Sequence, residues 1–221
     1  MLLYYITDRK GFAGSAADQC TALLRRIAQA AGAGIDYIQL REKDLGPHEL
    51  ECLAHEAVRA VRDNSSTTRL LINTRADIAL ACDADGVHLP SGEVTASEIR
   101  TLWMECCHRE PVIGVSAHSS ADVREAAAQG ADFTVLAPIF EKMQTDVKGI
   151  GLDALREACA AAVERGDVAA SASGRFPVLA LGGVNLTNAR ACFEAGAAGL
   201  AGIRLFQSAD LLETVRQLRE W

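Results

Sequence analysis

The 221-residue chain has no stretch approaching the roughly 20 uninterrupted apolar residues of a membrane span. It also lacks an excess of positive charge. Its 29 Asp and Glu outnumber 22 Lys and Arg, for a formal net charge of −7 and a pI near 5.3. Nucleic acid and membrane are therefore not expected as partners, since nucleic-acid binding usually needs a basic face. The opening Met1-Leu2-Leu3-Tyr4-Tyr5-Ile6-Thr7-Asp8 shows no basic n-region or cleavage site. It reads as a first strand rather than a signal peptide, and a cytoplasmic location is expected. The seven cysteines, Cys20, Cys52, Cys82, Cys106, Cys107, Cys159 and Cys192, include no CxxC pair. Odd in number and scattered, they read as reduced thiols. Cys106-Cys107-His108 suggests no metal, because adjacent residues on a helix point in different directions. There is neither a GxGxxG after the first strand nor a Walker sequence, so an open doubly wound sheet lacks its signature.

What is present is an alternation of strand-like and helix-like segments within an ordinary globular composition, 49% hydrophobic and 23% charged. Strands are expected near Leu3–Ile6, Tyr37–Leu40, Leu70–Asn73, Gly86–Leu89, Val112–Ser116, Phe133–Ala137, Val178–Leu181 and Gly199–Ile203. Helices are expected near Asp18–Ala31, Pro47–Asp63, Arg75–Cys82, Ala96–Cys107, Ser120–Gln129, Leu152–Arg165, Thr187–Ala195 and Asp210–Glu220. The strands are short apolar runs without strict polar alternation, as in a parallel sheet buried on both faces.

A weak internal repeat precedes each even-numbered strand: Ala33-Gly34-Ile35-Asp36-Tyr37, Asp83-Ala84-Asp85-Gly86-Val87, Gln129-Gly130-Ala131-Asp132-Phe133 and Ala195-Gly196-Ala197-Ala198-Gly199. In each, a Gly or small residue ends the helix and a tight turn feeds the strand. Eight such units predict an α/β fold, a single (β/α)₈ TIM barrel with a parallel eight-stranded core, spanning 1–221 as one domain. The Ala- and Ser-rich stretch Gly166–Gly174 reads as a loop before strand seven.

In this fold the loops after the strands build the active site. Gln39-Leu40-Arg41-Glu42-Lys43 follows a strand, and continued alternation would place Gln39, Arg41 and Lys43 on one side. The pattern suits an anion, with a surface ion-pair ladder to Glu42 and Asp44 as the bland alternative. Asn73 also ends a strand, where it serves either a ligand or the strand terminus. Leu181-Gly182-Gly183-Val184-Asn185 suits a phosphate held by backbone N–H groups, or merely a turn of the chain. Arg204 is expected at the end of strand eight. His118, in Gly114-Val115-Ser116-Ala117-His118-Ser119, is the acid–base candidate, with a cap of helix five as the alternative. Ser116 and Lys148 join the expected substrate contacts. His88 is expected to pack inside the barrel, and His48, His55 and His108 to lie solvated on helices.

Tyr5-Ile6-Thr7-Asp8, Gln39 to Lys43, Leu71-Ile72-Asn73, Ala84-Asp85-Gly86-Val87-His88-Leu89, Gly114 to His118, Pro138-Ile139-Phe140 and Leu181 to Asn185 come in a familiar order. Over nearly the whole chain they resemble the thiamine phosphate synthase and thiazole tautomerase superfamily. The resemblance implies a (β/α)₈ barrel and one of two chemistries. The synthase joins a pyrimidine pyrophosphate to a thiazole phosphate, releasing pyrophosphate with Mg²⁺. The tautomerase aromatises a thiazole carboxylate phosphate with a histidine and no metal. By resemblance, Gln39, Arg41, Lys43 and Asn73 match pyrophosphate contacts, Gly182 and Gly183 match the thiazole phosphate loop, and His118 matches the tautomerase histidine.

Three departures turn the expectation toward the tautomerase branch. Thr74 stands where the synthase has a magnesium Asp. Glu93, in Leu89-Pro90-Ser91-Gly92-Glu93, falls about where a second one would be. Glu141-Lys142-Met143-Gln144-Thr145-Asp146-Val147-Lys148 replaces a threonine-rich stretch. Magnesium relies on one or two carboxylates plus substrate phosphates, and a threonine hydroxyl does not replace that charge. The expected function is therefore metal-independent aromatisation of a small phosphorylated thiazole. In that reading Gly182, Gly183 and Arg204 hold the phosphate, and no cofactor or metal takes part. The alternatives are a thiamine phosphate synthase using Mg²⁺ through Glu93, and a non-catalytic binder of thiamine phosphate or its precursors. A homodimer is compatible with the sequence, which does not set the oligomeric state.

Overall fold

The computed structural model describes residues 1–92, 94–141, 148–162, 175–208 and 210–221. Eight parallel strands close into a barrel in chain order. They are β1 (Leu2–Ile6), β2 (Tyr37–Leu40), β3 (Arg69–Asn73), β4 (Gly86–Leu89), β5 (Val112–Ala117), β6 (Phe133–Leu136), β7 (Val178–Ala180) and β8 (Gly199–Gly202). The helices between and after them are α1 (Ala16–Gly32), α2 (Pro47–Arg62), α3 (Ala76–Ala81), α4 (Ala96–Cys107), α5 (Ser120–Ala128), α6 (Gly151–Ala161), α7 (Ala189–Glu194), α8 (Arg204–Gln207) and α9 (Leu211–Arg219). A short 3₁₀ turn, Arg9–Gly11, follows β1. The expected (β/α)₈ barrel is thus the fold. Among the described residues no helix is long and apolar enough to cross a membrane.

Contacts gather the chain into two units, Leu3–Val87 with Ile203–Trp221, and Met1–Leu2 with His88–Gly202. In the first unit, β1 pairs with β2 (Tyr4 beside Tyr37, Ile6 beside Gln39) and β2 with β3 (Leu40 beside Ile72). Leu3, Tyr4, Tyr5, Ile38, Leu40, Leu71 and Ile72 are buried, so neighbouring residues that point to opposite sheet faces are both apolar. In the second unit, β5, β6, β7 and β8 pair in sequence, with Ser116 beside Val135 and Leu136 beside Ala180. Ile113, Phe133, Leu179 and Leu200 fill that half of the core.

The four-fold sequence repeat has a structural cause. At each helix-to-strand turn a backbone N–H reaches the carbonyl five residues back: Ile35 to Ala30, Ala84 to Ala79, Ala131 to Ala126 and Ala197 to Cys192, at 2.9–3.1 Å. One residue of each turn is left-handed (Gly34, Asp83, Gly130 and Gly196), as the helix-ending motif requires. The aspartates that follow clamp the preceding strand reciprocally. Asp36, Asp85 and Asp132 donate their N–H to the carbonyls of Leu3, Leu70 and Ile113. Their carboxylates accept the N–H of those same three residues at 2.7, 2.8 and 2.7 Å. In the fourth turn Ala198 keeps the backbone bond to Val178 and has no carboxylate to return it.

Several boundaries differ from expectation for local reasons. β8 stops at Gly202, because Phe206 and Gln207 both turn back to bond the Ile203 carbonyl and form α8. α7 begins at Ala189 rather than Thr187, because the Asn185 side chain accepts the N–H groups of Thr187 and Asn188 and holds a turn there. The end of the expected sixth helix, Glu164 and Arg165, and the loop Gly166–Gly174 lie outside the described residues. All seven cysteines are free, and burial raises the pKa of Cys159 and Cys192 to about 11.

Replacing Asp132 by Ala strands the Ile113 N–H and removes one partner of Arg100, which bonds Asp132 at 3.0 Å. A loss of about 1–3 kcal/mol is expected, read as a lower urea midpoint with unchanged slope, and Asp132→Asn should recover part of it.

Candidate functional site

The strand-exit residues of the first unit are organised by β1 rather than by β2 alone. Thr7, directly after β1, is buried and donates its hydroxyl to the Glu42 carboxylate at 2.7 Å. The same hydroxyl accepts the Arg41 N–H at 2.9 Å, which fixes the backbone where β2 ends. Glu42 also accepts the Arg9 N–H at 3.1 and 3.2 Å and the Arg9 guanidinium at 3.1 Å. The guanidinium then grips Asp44 through two parallel bonds of 2.6 and 2.7 Å, and Lys10 adds a third at 3.0 Å. Hydrogen bonds from Arg9 and Lys10 hold the Asp44 carboxyl well below the usual carboxylate range.

This arrangement revises the Gln39-Arg41-Lys43 reading in two ways. The alternation does not continue, because β2 ends at Leu40. Gln39 is buried in the barrel with its amide donating to the Tyr4 hydroxyl at 2.8 Å, while Arg41 is half-buried and Lys43 exposed. The alternative of an ion-pair ladder is not formed either: Glu42 and Asp44 pair with Arg9 and Lys10, and among the described residues Arg41 and Lys43 form no ion pair. Arg9 and its buried carboxylate were missed in the sequence. The available signal was a basic residue beside Thr7-Asp8 at the end of a strand.

Asn73 closes β3, half-exposed, with its amide 3.4 Å from the Thr74 hydroxyl. The Arg75 N–H reaches back to the Asn73 carbonyl at 2.8 Å, so the chain makes a three-residue turn centred on Thr74. Thr74 has a φ of 61°, a left-handed conformation that β-branched residues rarely adopt. Such strain concentrates at functional positions. The Arg75 guanidinium is bonded to Asp77 at 2.6 and 2.9 Å. Arg204 is exposed and opens α8, instead of ending strand eight.

In the second unit, the segment 137–141 after β6 joins the remaining candidates. The His118 Nδ1 lies 2.9 Å from the Ala137 carbonyl. A carbonyl only accepts, so Nδ1 carries the proton in this contact, and in the neutral form of this exposed ring the lone pair falls on Nε2. The His118 N–H and the Ser119 N–H both donate to Asp122, and the Ser119 hydroxyl accepts the Asp122 N–H. The cap of α5 is therefore real, built by Ser119 and Asp122, and it leaves the imidazole out. Burial raises the Asp122 pKa, but these N–H and hydroxyl bonds outweigh it and hold the group below the usual range.

Across the same segment, Gly182 and Gly183 have φ of 96° and 64°. A Cβ on Gly182 would sit 2.7 Å from Pro138, and one on Gly183 would sit 2.8 Å from the Glu141 carbonyl and Phe140. Close packing thus demands both glycines whether or not a ligand binds. Their N–H groups donate to no acceptor among the described residues. Ser116 is 3.0 Å from the Nε2 of His88, which is buried as expected and stacks obliquely near Phe133. Lys148 is exposed where the chain returns to α6, and among the described residues it forms no ion pair. Residues 142–147 and Glu93 lie outside the described residues.

The comparisons with known proteins bear on the whole chain. The model of the family described as thiamine monophosphate synthase matches residues 3–206. The chain belongs to the thiamine monophosphate synthase family. Thiamine-phosphate synthase of Methanoregula boonei is 35% identical over 221 residues, 99% of this chain and 91% of its own length. The enzyme of the same name from Syntrophomonas wolfei is 33% identical over 221 residues, 99% of this chain and 94% of its own. Among solved structures, thiamine phosphate pyrophosphorylase from Pyrococcus furiosus superposes with a TM-score of 0.74 at 27% identity, covering 99% of this chain and 94% of that one. The chain is accordingly an enzyme of thiamine biosynthesis. His48, His55 and His108 are exposed, as expected, and take no part in these arrangements.

Relief of the strain at Thr74 is measurable. Thr74→Asn, which tolerates a left-handed backbone, should raise unfolding stability by about 1 kcal/mol in urea. A loss of stability instead would show that the threonine side chain holds the turn.

Proposed function

We propose that the protein is a thiamine-phosphate synthase, joining a pyrimidine pyrophosphate to a thiazole phosphate. The observation that carries this reading is the match of named synthases over 99% of the chain. It is supported by the state of Arg41 and Lys43, whose neighbouring carboxylates are bound elsewhere. The comparisons favour the synthase over the tautomerase branch expected from Thr74 and the loop after Phe140. In the reaction a bond forms from the thiazole to the pyrimidine-bearing carbon as that carbon's bond to the pyrophosphate oxygen breaks. The electron pair leaves with pyrophosphate. Arg41 and Lys43 meet the charge that develops there, where fixed donors contribute most. Asn73 adds a neutral contact, and the N–H groups of Gly182 and Gly183 take the thiazole phosphate.

Magnesium would supply further charge neutralisation in such a reaction. The described residues do not fit a protein-held magnesium. At the end of β3, Asn73 and Thr74 offer neutral oxygens, and Asp77 is taken by Arg75. Among the described residues no group of three His, Cys, Asp or Glu could hold a metal ion. Glu93, the carboxylate expected to hold magnesium in a synthase, lies outside the described residues, and among the described ones the charge on the leaving group is assigned to Arg41 and Lys43.

The tautomerase remains a second reading because of one observation, the His118 ring held through Nδ1 with Nε2 available to exchange a proton. One assay separates the two. Purified protein with both synthase substrates, with and without Mg²⁺, should form thiamine phosphate, and Arg41→Ala should lower kcat/KM by about 10²–10³-fold. Absence of product, with faster aromatisation of the thiazole carboxylate phosphate in the presence of a known synthase and loss of that gain in His118→Ala, would reverse the assignment. No gain in either assay leaves a binder.

A further inference from the structure

We infer that Arg9 is a positioning residue that keeps the anion grip open: it binds Glu42 and Asp44, so that neither carboxylate closes onto Arg41 or Lys43. The inference rests on the pyrophosphate reading of Arg41 and Lys43. It starts from an order of charges, Arg41-Glu42-Lys43-Asp44, in which each cation has a carboxylate next to it in the chain. Left to themselves, these four residues would neutralise one another, and an incoming anion would compete with two resident ones.

The structure shows the competition removed by groups from the end of β1. Arg9 is 6% exposed and Glu42 5%, and they meet at 3.1 Å. The two terminal nitrogens of the guanidinium also bond Asp44, and Lys10 completes the set. Two cations, Arg9 and Lys10, thus balance two anions, Glu42 and Asp44, and the charge of Arg41 and Lys43 is left over. Thr7 holds the geometry, donating to Glu42 and accepting from the Arg41 backbone.

A purely structural role is the rival. It is not supported by the ion pair itself, since buried pairs often contribute little net stability. Moreover, the Arg9 Nε is buried without a hydrogen-bond partner among the described residues, an added cost of keeping the guanidinium inside. The buried Glu42 needs a cation wherever it comes from. If Arg9 is lost, Arg41 and Lys43 are its nearest neighbours in the chain.

The test is titration of inorganic pyrophosphate into the full chain by calorimetry, with and without Mg²⁺, with thermal unfolding recorded for every variant. Arg9→Gln should bind pyrophosphate about tenfold more weakly than the wild type. Arg9→Gln with Asp44→Asn should regain most of that loss, and Arg9→Lys part of it. In turnover, the Arg9→Gln defect should fall on KM for the pyrimidine pyrophosphate more than on kcat. A structural role predicts the opposite for the double variant, which would be no better than the single. Unchanged binding by Arg9→Gln, or no recovery in the double variant, overturns the inference and leaves the pyrophosphate reading standing. Wild-type protein that binds no pyrophosphate overturns both. Should Arg9→Gln fail to fold, Asp44→Asn decides alone: about threefold tighter binding is expected, and unchanged or weaker binding overturns the inference.

Discussion

A strand buried on both faces has no water to satisfy the N–H groups near its start, and this constraint shapes the chain from its turns outward. Asp36, Asp85 and Asp132 meet it by accepting the N–H of Leu3, Leu70 and Ile113 while donating their own N–H to the same residues. Each bond pair locks an odd strand to the even strand after it. With those starts fixed, the register that follows is fixed too, and the strand ends arrive where Gln39, Asn73 and Ser116 stand. The polar side chains near the strand exits are thus placed by carboxylates a strand's length away.

At the exits the same economy of polar groups recurs with charge. The carboxylates next to Arg41 and Lys43 in the chain are engaged by residues of the 3₁₀ turn that follows β1. Gln39, which looked like a third member of that cluster, serves the core through Tyr4. On the other unit, 137–141 acts as a shared wall, accepting from His118 on one side and packing against Gly182 and Gly183 on the other. A site of this kind depends on which neighbours are occupied as much as on which residues are present.

The barrel was legible because doubly buried strands read as apolar runs and because the Gly and Asp of each turn recur in the sequence. Arg204 was misplaced, since nothing in Ile203-Arg204-Leu205-Phe206 distinguishes a strand end from the turn that α8 makes. The Arg9 grip was hidden for a different reason. Its carboxylates lie more than 30 residues away, and their alternation with Arg41 and Lys43 suggested local pairing. The choice between synthase and tautomerase turned on Thr74, Glu93 and one loop, whereas similarity to synthases runs through the whole chain. The chain-wide similarity favours the synthase where those few positions pointed to the other branch. That Thr74 is strained was invisible, because φ is a property of the turn and not of the residue type.

The fourth turn deserves to be read as a joint instead of a contact. Three of the four two-strand modules are latched twice, through backbone and carboxylate, but Ala198 gives the last only its backbone bond to Val178. The β7–β8 module is therefore the one of the four whose turn is closed by backbone alone, and its amides are the ones whose hydrogen exchange this difference predicts to be faster.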